Sequence, residues 1–466
     1  MALPQLCRGW RQASIHVGVW TGFAALTACL PANADVVAAS GSRSLGTLIN
    51  GDRAGRCTSG VCVVGGGTQA GDNLFHRLGS FDTRGAITGV RFQNQRDQTV
   101  IVGVTSPWGS WIDKTIQFAK PGNLLLLSPG GIHLGPGTGF QQINQLGLST
   151  ATRLAMQGGG TFDVLSSTAL ETAALAGAPL LNAQGLHGDA EARQAAGITG
   201  VPGIVVEGIN VSVDRELFVD ALDGTVQVLD SQLTVNPQHG LGGALTLSGQ
   251  TIQLQGASQL KAQGQTGGGQ ILIGGDQRGE NPAVRNAKQV QLEPGTTVLA
   301  DATVHGQGGR VIVWSDQRTD VRGTISAQGG PDGGDGGFVE TSSAKLLHVS
   351  GRVSTAAPKG KAGQWLLDPE EVTITSETDP TAPADSTAEQ ETSTISADSL
   401  QQAVDEGSVV TLEAQGEISG AEEVQSNQES GGTLNTLANQ AVPESESTAS
   451  HSEDEQQEAE DQEVAE

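Results

Sequence analysis

The chain has 466 residues, among them 66 glycines, no tyrosine and only 3% aromatic side chains. Glycine without a strict three-residue period excludes collagen, and so many glycines argue against a helical bundle, since each costs a helix about 1 kcal/mol against alanine. The formal charge of −26 sits at one end: residues 368–466 hold 26 acidic groups and no Lys or Arg, leaving 25 acidic and 25 basic residues before them. That acidic end excludes nucleic acid as its partner, because phosphate contacts need cations.

In chain order, the first segment reads as a targeting signal. Arg8, Arg11 and His16 precede an apolar stretch at 17–30, and Ala32-Asn33-Ala34 fits an A-x-A cleavage site. This predicts a signal peptide over 1–34, cleaved after Ala34. The Leu26-Thr27-Ala28-Cys29 stretch offers a second reading, a lipoprotein signal. No later apolar run reaches the ~20 residues of a membrane helix. Cys7 and Cys29 belong to the signal, which leaves Cys57 and Cys62 in "RCTSGVCVV". In an exported chain the pair predicts a small disulfide loop; a metal site would want more ligands.

Residues 35–160 alternate short apolar runs with Gly and Asn turns, the pattern of strands. Residues 161–200 are Ala-rich with loose helical spacing, so the unit 161–240 is expected to be a helical or loop excursion that returns to strands. In residues 241–375 a Gly-Gly step opens a short apolar strand four times, at Gly242, Gly268, Gly308 and Gly336, with separations of 26, 40 and 28 residues. Such periods mark stacked repeats. They predict an all-β chain, a right-handed parallel β-helix with an N-terminal cap, with glycine at corners that require positive φ. The 40-residue step leaves room for an insertion, "DQRGENPAVRN". An ordinary sandwich gives no reason to repeat the step. Residues 376–466 are predicted to be a largely disordered acidic tail, although "ISADSLQQAVDEGSVVTLEAQGEI" has the makings of a helix and a strand.

"GGTQAGDNLFHRLGSFDTRGAITGVRFQ" followed by "NLLLLSPGGIHLG" resembles the haemagglutination-activity domain of filamentous haemagglutinins, the exoproteins of two-partner secretion. "CTSGVC" resembles the cyanobacterial version, and "GGRVIVWSDQRT" and "GGDGGFVETSSAKLLHVSGRVSTAAPKGKAGQWLLDP" resemble the family's later repeats. The resemblance spans most of residues 45–375. It implies a chain exported across the inner membrane, recognised by an outer-membrane transporter through its N-terminal domain, and released or displayed at the cell surface. It assigns the secretion motif to Asn73, Leu74, Phe75, Asn123, Leu124, Ser128, Pro129, Gly130, Gly131 and Ile132. Where the family carries Asn-Pro-Asn-Gly-Ile, this chain has Ser128-Pro129-Gly130-Gly131-Ile132, which removes the asparagine caps of the turn. Pro129 with Gly130 or Gly131 predicts a type II turn. The implied role is adhesion to surface glycans or to host or neighbouring cells; the alternative is a β-helical enzyme acting on surface polysaccharide.

No catalytic residue, cofactor or metal is expected. Asp332 and Asp335 in "GGPDGGDGG" suit either calcium or a turn. Glu340-Thr341-Ser342 reads as exposed strand. Trp108 and Trp111 in "SPWGSW" suit either a sugar platform or a helix cap, while Trp314 and Trp365 read as packed between coils.

Overall fold

The computed structural model describes residues 34–236, 240–376, 392–427 and 429–438. Nearly all of its regular structure is β. From Thr115–Leu127 onward the strands of the main stack pair in parallel, each with the equivalent strand one coil later, and they form three faces. On the first face Thr225–Leu229 lies beside Thr251–Gln255, then Gln289–Leu292, Arg318–Val321 and Leu346–Val349. The second runs from Asn210–Val213 to Arg352–Ser354. The third runs from Gly139–Ser149 through Ala244–Ser248, Arg310–Ser315 and Phe338–Ser343 to Thr433–Ala438. The fold is a parallel β-helix.

Period-2 alternation builds its core, because every second side chain of a strand points inward. Leu245, Ile271, Val311, Val339, Trp365 and Val410 occupy one register column on the third face, all fully buried. Each coil adds such a layer, at about 25 cal/mol per Å² of apolar surface removed from water.

The Gly-Gly steps stack on one another, for a different reason from the one expected. None of the eight doublet glycines has positive φ. A methyl on Gly308 would instead strike the carbonyl of Ala327 and the amide of Gly337, and one on Gly336 the carbonyl of Thr355 and the amide of Gly363. The amides of Gln270, Arg310, Phe338 and Gln364 each donate to the second glycine of the preceding step, Gly243, Gly269, Gly309 and Gly337. Close approach of successive coils, rather than a left-handed backbone, is what demands glycine there.

The N-terminal end is antiparallel. Val36–Ala38 pairs with Arg56–Cys57 and with Asn73–Asp82, and Thr47–Ile49 pairs with Gly60–Gly66. Cys57 and Cys62, both buried, are joined by a disulfide in this region.

Two insertions cover the outer side of the third face. In residues 150–200, Arg153–Ala155 pairs antiparallel with Thr161–Asp163 and Leu186–His187, and a single helical turn and a half, Ala190–Ala195, is capped by Asp189, whose Oδ1 accepts from the Ala192 amide at 2.9 Å. The second insertion, 276–286, fills the 40-residue step. The two meet where the Ala183 amide donates to the Ala283 carbonyl at 2.9 Å.

The coil also runs further than the boundary at 375. Ser393–Ser396 and Val409–Ala414 extend the first and third faces, and the helix Ala397–Asp405 buries Leu400, Ala403 and Val404. The helix and strand expected in "ISADSLQQAVDEGSVVTLEAQGEI" are present, and they extend the coil past the expected boundary at 375 into a segment otherwise read as disordered. The remainder of that tail, 377–391 and 439–466, lies outside the described residues, as does the signal segment 1–33.

Candidate recognition ledge on the N-terminal coils

The resemblance-bearing residues fall into two groups in space. Asn73, Leu74 and Phe75 begin the strand Asn73–Asp82, and Asn123 and Leu124 lie in Thr115–Leu127; the two strands flank Thr99–Val104, with Asn73 and Asn123 both aligned on Thr99. This explains the four-leucine run. Leu124 and Leu126 enter the main core, while Leu125 and Leu127 join Phe75, Ile101, Leu154 and Phe162 beneath the 150–200 insertion. A strand covered on both sides reads as a continuous apolar run.

Asn73 has a structural task. It is buried, and its Nδ2 donates to the carbonyls of Leu175 and Gly177 at 2.9 and 2.7 Å, fastening the insertion to the coil. Asn123 is half-buried; its Nδ2 donates to Thr99 Oγ1 at 3.2 Å.

Sequence reasoning passed over His76 and Arg77, both fully buried in the same strand. Burial takes the His76 imidazole down to about 4, and its Nδ1 lies 3.2 Å from Thr47 Oγ1. Burial also lowers Arg77 to about 10, against the pull of Asp163; its guanidinium donates to the carbonyls of Arg43 and Asp163 and lies over the Phe162 ring. A His-Arg pair amid apolar residues of both parities was the available signal.

The second group is a column of turns. Ser128-Pro129-Gly130-Gly131 closes with the Gly131 amide donating to the Ser128 carbonyl at 2.8 Å, and Ser106-Pro107-Trp108-Gly109 closes likewise at 3.2 Å. The upper turn rests on the lower: the Ser110 amide donates to the Gly131 carbonyl, and Ser110 Oγ donates to Ser128 Oγ at 3.0 Å. On the far side, the Ile132 amide donates to the Gly203 carbonyl. The expected type II turn is corrected. Positive φ, 104°, falls on Gly131, the fourth residue, and Gly130 lacks it, so the turn has no left-handed third residue. Ser128 Oγ donates to the Gly131 carbonyl at 2.8 Å, so a serine side chain does bond across this turn.

Pro129 is buried in the column, Gly130 is half-buried and Ile132 is in the core. What the column offers to solvent is Trp108, 66% exposed, and Val201, 64% exposed, at the turn that precedes Gly203. Beside it runs an in-register stack: the Arg84 guanidinium lies 4.4 Å from the Trp111 ring centroid, and Trp111 stacks on His133 at 3.9 Å and 8°. His133 Nε2 is 3.4 Å from Glu207 Oε2; burial lowers the imidazole's pKa, with Glu207 opposing. Trp111 has a coil on either side, Asp82 and His133 being its register partners, so it is not an end cap.

The other singled-out residues lie elsewhere. Asp332 is exposed near Lys359, and Asp335 Oδ1 accepts from the Lys361 amide at 2.8 Å. Trp365 is in the core, its Nε1 donating to Thr341 Oγ1 at 2.9 Å. Trp314 packs on Leu272 and Ile312 under the second insertion. Glu340, Thr341 and Ser342 are fully buried, which corrects their reading as exposed strand: the insertion covers the outer side of that strand, and Thr341 points into the core. Among the described residues no helix is long and apolar enough to cross a membrane.

No family model and no curated protein matches the chain. Among solved structures it is similar to the HMW1 secretion domain from Haemophilus influenzae, at 18% identity and a TM-score of 0.32, over 72% of this chain and 100% of that one. A likeness so distant assigns neither family nor role.

Proposed function

We propose that this chain is a non-catalytic exoprotein of the two-partner type, and that the turn column of its N-terminal coils is the surface an outer-membrane transporter reads. One observation carries the reading: the two Ser-Pro turns, which precede the Gly-Gly repeats in the chain, stack directly and leave Trp108 as their exposed tip. Trp108 and Val201 both leave apolar surface exposed at this column, and paired apolar exposure suits a contact surface. The parallel β-helix that follows suits a stalk that presents adhesive surface beyond the cell. The resemblance of "NLFHRLG" and "NLLLLSPGGIHLG" to haemagglutination-activity domains supports the same reading.

The test is secretion of the full chain from a Gram-negative host with and without a co-expressed outer-membrane barrel of this transporter class. Release to the medium only with the barrel, reduced severalfold by Trp108→Ala at unchanged periplasmic level, is expected. Equal release without the barrel would overturn the reading.

A further inference from the structure

The first face breaks the order of the chain near its C-terminal end. From Thr225–Leu229 to Leu346–Val349 each strand of that face lies beside the next one in sequence. The place beside Leu346–Val349 is then taken by Ser393–Ser396. The earlier strand, Val372–Thr375, lies one rung beyond it, between Ser393–Ser396 and Ile418–Ser419. A later segment is wedged between two earlier ones, and all of them run parallel.

The two exchanged strands are near copies. Ser393-Thr394-Ile395-Ser396 and Val372-Thr373-Ile374-Thr375 pair residue for residue, Val372 on Ser393 and Ile374 on Ile395. Thr394 Oγ1 lies 2.8 Å from His348 Nδ1, and Thr373 holds the same column one rung on, with the same hydroxyl. Ile395 and Ile374 are both buried. The inward difference falls on the first position. Ser393 continues the column of Val290, Thr319 and Leu347, buried, with its Oγ accepting from the Leu347 amide at 3.1 Å. Valine suits that largely apolar column better, because it brings no polar atom to be satisfied.

Spacing also fits Val372 to the place beside Leu347. Gln364 continues the third-face column of Ala244, and Val372 follows it by eight residues, as Ile252 follows Ala244. From Ala244 those eight residues reach the adjacent rung, whereas from Gln364 they span one rung more. What holds Ser393–Ser396 in place comes after it in the chain. The helix Ala397–Asp405 buries Leu400, Ala403 and Val404, the Thr355 amide donates to Ser408 Oγ at 3.0 Å, and Arg352 pairs with Glu406.

We propose that Val372–Thr375 and Ser393–Ser396 are alternative occupants of one place in the coil, and that the last coils close by strand exchange. The chain is made from its amino end, so Val372–Thr375 meets the edge of Leu346–Val349 first. Ser393–Ser396 displaces it to the next rung once the helix behind it docks. In the interval the first occupant keeps that edge from pairing with another chain.

Disulfide closure in the folded full chain tests the exchange. His348 and Thr373 are two rungs, about 10 Å, apart as the strands stand, beyond the ~7 Å that a disulfide spans; exchanged, they are adjacent. Asp320→Cys/Thr394→Cys is the control, a pair in the same column at the same separation, which exchange moves apart rather than together. Under a mild oxidant, with closure read by peptide mass spectrometry, His348→Cys/Thr394→Cys is expected to close fastest. His348→Cys/Thr373→Cys is expected to close roughly tenfold faster than the control. Val372→Ser, which weakens the competing strand, and Ser393→Val, which strengthens the occupant, are each expected to slow that closure severalfold. Closure of His348→Cys/Thr373→Cys no faster than the control would overturn the proposal, as would a rate that both substitutions leave unchanged.

Discussion

Gly130 and Gly109, 21 residues apart in sequence, meet face to face where the two Ser-Pro turns stack: a methyl on Gly130 would collide with the Gly109 amide nitrogen, and one on Gly109 with the carbonyls of Gly130 and Gly131. The contact is backbone on backbone, so no side-chain adjustment relieves it. Gly130→Ala is expected to lower stability by about 2 kcal/mol, within the range for strain and overpacking. Denaturant unfolding of the mature chain measures it. A loss below a few tenths of a kcal/mol would mean the turns are not stacked.

The Asn73 contact makes a local prediction. Asn73→Ala leaves the carbonyls of Leu175 and Gly177 without their buried donor, a penalty of about 1–3 kcal/mol. It should fall on the insertion rather than the coil. Limited proteolysis is expected to cut within residues 165–185 several times faster, with the melting of the β-helix little changed. Cutting at the unaltered rate would contradict the role given to Asn73.

Two buried titrating groups set opposite pH slopes. The unfolded chain protonates His76 near 6.5 and the native one only near 4, so the stability it supports is complete above pH 6.5 and is lost as pH falls toward 4. Native Glu340 keeps its proton to about 7 while the unfolded chain releases it near 4.5. That contribution is complete below pH 4.5 and is lost as pH rises through 7, at roughly 3 kcal/mol. Glu340→Gln is therefore expected to raise the melting temperature at pH 8 relative to the parent, and to leave it nearly unchanged at pH 5. Equal shifts at both pH values would contradict this.

The glycine steps separate two explanations of glycine. Gly308→Ala is expected to cost several kcal/mol, or to prevent folding of the repeats, because the added methyl meets the Ala327 carbonyl and the Gly337 amide. Gly79→Ala is the control: Gly79 lacks positive φ and has no atom nearer than 3.9 Å to the added carbon, so it should be neutral or stabilising by about 0.5 kcal/mol. Thermal unfolding of both variants decides it.

The architecture was legible because the repeat of Gly-Gly before an apolar strand is itself the register of the stack. The steps of 26, 40 and 28 residues recur in the pairing of Leu245 with Ile271, Ile271 with Val311 and Val311 with Val339. The reason for the glycines was not legible, since close approach depends on the neighbouring coil, which one segment does not display. Nor was the burial of Glu340: its surroundings are made by Arg278 and the insertion, 62 residues earlier in the chain. In the acidic C-terminal part a helix and a strand were legible in "ISADSLQQAVDEGSVVTLEAQGEI", but that they continue the coil was not, because this depends on pairing with strands 45 or 46 residues earlier in the chain. The leucine run 124–127 lies in a strand covered on both sides, and what covers its outer side comes from residues 150–200.

The central claim is that segments far apart in sequence lie one coil apart in register. Asn210 and Arg352 are 142 residues apart, and the second face joins them through Gln232, Gln259, Thr297 and Thr324. Five parallel steps of ~4.8 Å separate them. Spin labels on Asn210→Cys and Arg352→Cys, in a chain otherwise intact, are predicted to give one narrow electron-electron distance distribution centred at about 24 Å. A broad distribution, or a centre beyond about twice that value, would contradict the stacked coil on which every other conclusion rests.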